Sequence, residues 1–112
     1  MKNLYYVLDG HNPVPADIFE AEKFFNDPAR IVAQEQVGKY FVSTVFLVID
    51  HNFWPIGDPR LFETMVFDGD REVGGFTQRY MSWEDAEKGH VETVLGIWAQ
   101  IQGKTKKGGC KK

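Results

Sequence analysis

Apolar and polar positions change period several times along this chain, and each change marks an element. Residues 3–9 form a short run rich in Tyr, Val and Leu, the mark of a strand. Residues 10–15 hold two prolines and a glycine and predict a loop. Residues 16–26 place Ile18, Ala21, Phe24 and Phe25 at helical spacing, with Asp17 and Glu20 near the positive end of that helix. Asp27-Pro28 stops it, because a residue before proline disfavours helical backbone.

Residues 30–37 alternate as a half-exposed strand, and Gly38-Lys39 turns the chain into residues 40–49. That second strand is apolar on both pleat faces, which predicts a central strand covered on both sides or by helices and a partner. After a long aromatic-bearing loop at 50–60 come strands at 61–67 and 71–81, the latter weakened or bulged at Gly74-Gly75. Ser82 and Asp85 resemble a capping box. The helix they open carries Trp83, Ala86, His90, Val94, Ile97 and Ile101 on one stripe, widened by Val91 and Trp98, and ends near Gly103. The order β-α-β-β-β-β-α predicts an α+β fold, a mainly antiparallel sheet of about five strands with two helices on one face.

A chain of 112 residues allows one domain, here 1–102, followed by a disordered basic tail at 103–112. That tail holds five of the 13 basic residues and no acid, so the body carries 8 basic against 16 acidic residues, a net of −8. Such a body repels nucleic acid, and binding through the tail is the weaker alternative. The single cysteine, Cys110, excludes an internal disulfide and any Cys-based metal site, which fits a reducing, cytoplasmic setting. No signal peptide and no apolar run long enough to span a membrane is apparent.

Five blocks resemble a known family: Leu8-Asp9-Gly10-His11-Asn12-Pro13-Val14-Pro15, Val42-Ser43-Thr44-Val45-Phe46-Leu47, Asp50-His51-Asn52-Phe53, Leu61-Phe62-Glu63-Thr64-Met65-Val66-Phe67, and Tyr80-Met81-Ser82-Trp83-Glu84-Asp85-Ala86 leading to Gly89-His90. Together they are similar to a family of small uncharacterised proteins encoded in bacteriophage and prophage genomes. The resemblance spans about residues 4–94 and implies a phage accessory gene. It implies no activity, cofactor or catalytic residue. Phe53-Trp54-Pro55-Ile56 makes the loop after Asp50-His51 more apolar here than in that family.

Candidate chemistry gathers at two strand ends. Asp9 and His11 follow the first strand, and Asp50 and His51 follow the central one. If the two ends are adjacent, two His and two Asp share a rim. Glu63 joins them only if strand register turns it that way. Such a cluster suits a divalent metal or an Asp-oriented His base, the chemistry of a small metal-dependent or acid–base hydrolase. No nucleotide, dinucleotide or metalloprotease fingerprint accompanies it, so no cofactor is expected. The structural alternative has Asp9 and Asp50 capping turns while His11 and His51 fill loop packing. His90, on the apolar stripe, reads as a hydrogen-bonded, semi-buried histidine. Ser43 and Thr44 have no base evident beside them and read as sheet residues.

Phe53, Trp54 and Ile56 are the candidate binding residues, since large rings beside proline lose little entropy on docking. Their alternative is a loop folded over the core. The two apolar faces of the central strand add a second surface, which a homodimer can cover by pairing sheets. The expected function is therefore a non-enzymatic interaction or ligand-binding domain. Its partner is a host or phage protein, a small molecule or a second copy of the chain.

Overall fold

The computed structural model describes residues 4–50 and 59–110, with side chains as far as Gly103. In chain order it contains β1 (Tyr5–Asp9), β2 (Asn12–Ala16), α1 (Ile18–Phe24), a 3-10 turn (Pro28–Arg30), β3 (Ile31–Val37), β4 (Tyr40–Phe46), β5 (Phe62–Asp68), β6 (Arg71–Glu72), β7 (Gln78–Tyr80) and α2 (Trp83–Cys110). The main sheet runs β3-β4-β5-β6 with β7 also on β5, every pair antiparallel, and β1-β2 forms a separate hairpin. This is the expected α+β class. Gly10, Gly38 and Gly69 open the three two-residue hairpin turns at φ 64°, 60° and 66°, the left-handed backbone that such turns require.

The prolines at 13 and 15, expected to keep 10–15 out of regular structure, lie inside β2. They pair with Leu8 and Tyr6 at alternate positions, so their missing N–H groups point away from β1, as an outer strand permits. The N–H of Tyr6 meanwhile donates to the Val48 carbonyl on the other side of β1 (2.8 Å). Tyr5 bridges Ile49, and the Asp50 N–H donates to the Leu4 carbonyl (2.9 Å). The hairpin thus hangs antiparallel on the chain leaving β4. To make that departure, Val48 adopts φ 72°, an uncommon conformation for a β-branched residue, and the regular strand stops at Phe46 rather than 49.

The strand expected over 71–81 is two short pieces, β6 and β7, separated at Gly74-Gly75, where Gly75 sits at φ 92°. Helix α1 begins with a full capping box: Asp17 accepts from the Glu20 N–H (2.9 Å) and Glu20 accepts from the Asp17 N–H (3.1 Å). At the start of α2 the Ser82 hydroxyl accepts from the Asp85 N–H (3.1 Å). α2 continues past Gly103 with helical backbone to Cys110.

Both helices lie on one face of the main sheet. The stripe of α2 expected to be apolar is buried at Trp83, Ala86, His90, Val94 and Ile97, but Val91 and Trp98 are exposed instead of widening it. A helix meets a sheet along a narrow line, and these two residues lie too far round its circumference to reach it. The core divides into two apolar clusters, one around Phe46, Phe62, Trp83 and Ala86, the other around Val42, Val66, Val94 and Ile97. On each element a single polar residue separates them: Thr44, Thr64 and His90. Among the described residues, no helix is long and apolar enough to cross a membrane.

Candidate functional site

Among the described residues, Asp9 and Asp50, the two aspartates proposed to share a rim, lie apart. Because β1 runs antiparallel to residues 48–50, Asp50 lies beside Leu4 at the start of β1. Asp9 ends that strand five residues further on, roughly 16 Å away at strand rise. The expectation that the two strand ends share a border is thereby corrected, and with it the convergence of Asp9 and Asp50 on a metal or catalytic cluster. His51, Phe53, Trp54 and Ile56 lie outside the described residues. Among the described residues, no group of three His, Cys, Asp or Glu side chains is placed to hold a metal ion.

Three of the described candidates, His11, Asp50 and Glu63, have other surroundings. His11, second residue of the β1-β2 turn, lies flat on the Trp83 indole, with centroids 3.8 Å apart and planes 4° from parallel. Asp50 is buried, and its charge together with desolvation raises the Tyr6 phenol above its ordinary value, desolvation being the larger cause. Glu63 pairs opposite Val45 on the sheet face turned away from the helices, where its Oε2 accepts from Arg79 Nε (3.0 Å). The register thus settles Glu63 away from the rim.

A hydroxyl–imidazole–carboxylate run does exist, at a place the sequence reading missed. Thr64 Oγ1 and Thr44 Oγ1 lie 2.6 Å apart, Thr44 Oγ1 and His90 Nδ1 2.8 Å, and His90 Nε2 and Glu35 Oε1 3.0 Å. A base therefore does stand beside Thr44. The expected reading of His90 as a hydrogen-bonded histidine holds, though it is buried rather than semi-buried, with 2% of it exposed. The atoms fit nucleophile activation by type and spacing, but both threonines are 0% exposed. No substrate carbonyl reaches that hydroxyl without the core opening. The run closes the hydrogen-bonding needs of a polar layer between two apolar clusters, and leads outward only to the half-exposed carboxylate of Glu35.

Two open clefts flank the hairpin. One, about 360 Å³, is apolar and lies between α1 and the chain leaving β4, lined by Tyr5, Ile18, Phe19, Ala21, Phe25 and Ile49. The other, about 410 Å³, includes Tyr6, Leu61, Met81, Ser82 and Asp85. In neither do charged groups converge on a point.

A further feature is the sheet face opposite α2. Register places Phe41 across from Phe67, Ser43 across from Met65, and Val45 across from Glu63. Gln34 and Gln36 of β3 stand beside Ser43 and Phe41, with Gln34 Nε2 donating to Ser43 Oγ (2.9 Å). Phe41, Val45, Met65 and Phe67 are half-buried, belong to neither core cluster, and carry no covering layer among the described residues. No family model, curated protein or solved structure matches the chain.

Proposed function

We propose that this chain is a non-enzymatic, phage-type interaction domain that docks a host or phage protein on the open face of its main sheet. The observation that carries the reading is the apolar row Phe41, Val45, Met65 and Phe67, uncovered among the described residues, at the centre of a sheet whose other face is sealed by α2. Four neighbouring large side chains on a rigid ladder form a preorganised surface that loses little freedom on docking. Gln34 and Gln36 at its margin supply the polar border that specific interfaces carry. The acidic body disfavours nucleic acid as the partner. Phe53, Trp54 and Ile56, which lie outside the described residues, are a second contact for the same partner in this reading.

The test substitutes Phe41→Lys and Phe67→Lys together. A partner retained by the wild-type chain from host lysate is identified, purified and bound again in isolation. The double variant is expected to weaken that reconstituted complex at least tenfold while holding its melting temperature within a few degrees. Equal affinity of the folded variant removes the sheet face from the reading, and Trp54→Ala then decides whether the loop alone binds.

A further inference from the structure

The 3-10 turn Pro28–Arg30 brings two opposite charges together without pairing them. The Arg30 N–H donates to the Asp27 carbonyl (3.1 Å), so the two residues are neighbours across one turn. The Asp27 carboxylate folds back on that turn, its Oδ1 accepting from the Ala29 N–H (2.9 Å). Arg30 reaches instead for α1 and β4. Its Nε donates to the Phe46 carbonyl (3.1 Å) and its Nη1 to the Phe25 carbonyl (3.5 Å).

Those two bonds fix the guanidinium, which stands over the Phe25 ring with Cζ 5.5 Å from its centroid. Of its five N–H groups, the two on Nη2 have no acceptor among the described residues. Although the chain carries 16 acidic residues, no described one lies within ion-pair distance of Arg30. Burial lowers the Arg30 pKa from its ordinary value, because the charge gives up water.

Both charges line an open cleft of about 270 Å³, together with Phe25, Asn26, Pro28 and Ile31. Phe25 and Ile31 are 40% and 39% exposed, so part of the wall is apolar surface facing solvent. A cation, an anion and an apolar wall form the complement of a small zwitterion with an apolar body. We propose that this cleft binds a free α-amino acid with an apolar side chain. The ligand's carboxylate takes the Nη2 protons of Arg30, and its ammonium takes Oδ2 of Asp27. Its side chain lies against Phe25 and Ile31. Asp27 repels a simple anion and Arg30 a simple amine, so the ligand must carry both charges.

The cleft shares no residue with the Phe41–Phe67 face, so this inference stands or falls separately from docking there. L-Phenylalanine titrated into the isotope-labelled full chain is expected to shift the amide resonances around residues 25–31. So open a site implies a dissociation constant on the order of 1 mM. Phenylpropionate lacks the ammonium and phenethylamine the carboxylate, and each is expected to bind about tenfold more weakly. Asp27→Asn keeps a side-chain cap on the turn and removes the charge. It is expected to abolish the preference for L-phenylalanine over phenylpropionate while holding the melting temperature within a few degrees. Arg30→Lys keeps the charge without the fork and is expected to weaken L-phenylalanine about tenfold. Amides unmoved at tens of millimolar L-phenylalanine overturn the proposal. So does equal binding of the three compounds, which leaves only contact with the Phe25 ring, or a preference that survives Asp27→Asn.

Discussion

The Thr44 hydroxyl and the Nδ1 atom of His90 stand 2.8 Å apart at the level where the two apolar clusters of the core meet. Forty-six residues separate them in the chain, and the contact joins the central strand to the long helix. A layer of this kind constrains how α2 sits, because sliding the helix by one turn strands the buried His90 imidazole and takes a partner from Thr44.

Thr44→Val is expected to cost about 1–3 kcal/mol, since Thr64 and His90 each lose a buried partner. Replacing the whole layer, with Thr44→Val, Thr64→Val and His90→Leu, removes the unsatisfied groups along with the bonds. The triple variant should therefore lose less stability in urea unfolding than the single variants predict by addition. Strict additivity would show three independent contacts rather than one network.

The Tyr80 ring lies directly against Gly89, where an added Cβ would overlap it. Alanine normally stabilises a helix interior relative to glycine by about 1 kcal/mol. Here Gly89→Ala is expected to destabilise by about 1–3 kcal/mol through overpacking, and adding Tyr80→Leu should restore most of the loss. Tyr80→Phe alone should be neutral or stabilising, because the phenol oxygen is buried with no hydrogen-bond partner among the described residues. Thermal denaturation of the four proteins checks both statements. A stabilising Gly89→Ala in the wild-type background contradicts the close packing.

Periodicity made α1, β3, β4 and the buried line of α2 readable, because each repeats its apolar positions over seven residues or more. What it does not carry is the relation between elements. The hairpin β1-β2 was hidden by Pro13 and Pro15, which break a central strand yet fit an outer one at alternate positions. The Asp9 and Asp50 corners looked adjacent because both follow a strand. Whether two strand ends share a border depends on parallel or antiparallel pairing, and neither dipeptide encodes that. Thr44 and His90 met for a reason equally remote from local pattern, the crossing of helix and sheet. The apolar stripe signalled His90, but nothing near Thr44 in sequence signalled its partner.

Val48 lies fully buried at φ 72°. In most strands alanine is tolerated better than glycine, but a left-handed residue reverses that order because only glycine adopts it without a Cβ penalty. Val48→Ala loses buried methyl groups and retains part of the strain, whereas Val48→Gly loses slightly more volume and sheds the strain. Val48→Gly is expected to be the more stable of the two by about 1 kcal/mol, with the usual order at the regular strand position Val42. Chemical denaturation of the four variants decides it, and the same order at both sites would mean that Val48 is unstrained.

Tyr6 supplies the pH dependence. An unfolded tyrosine ionises near pH 10, but burial and, secondarily, the neighbouring Asp50 charge hold the folded phenol protonated to higher pH. Above the unfolded value, the unfolded chain has released a proton that the folded chain keeps, so stability falls as pH rises until the folded phenol also ionises. Below that window the contribution is fully present. Tyr6→Phe cannot release the proton in either state, so its stability should fall less steeply between about pH 9 and 11 than that of the wild type. Urea midpoints measured across this range are expected to fall further for the wild type than for Tyr6→Phe as the pH climbs. Two curves that stay parallel would mean that Tyr6 titrates alike in the folded and unfolded chains, and that Asp50 exerts no field on its hydroxyl.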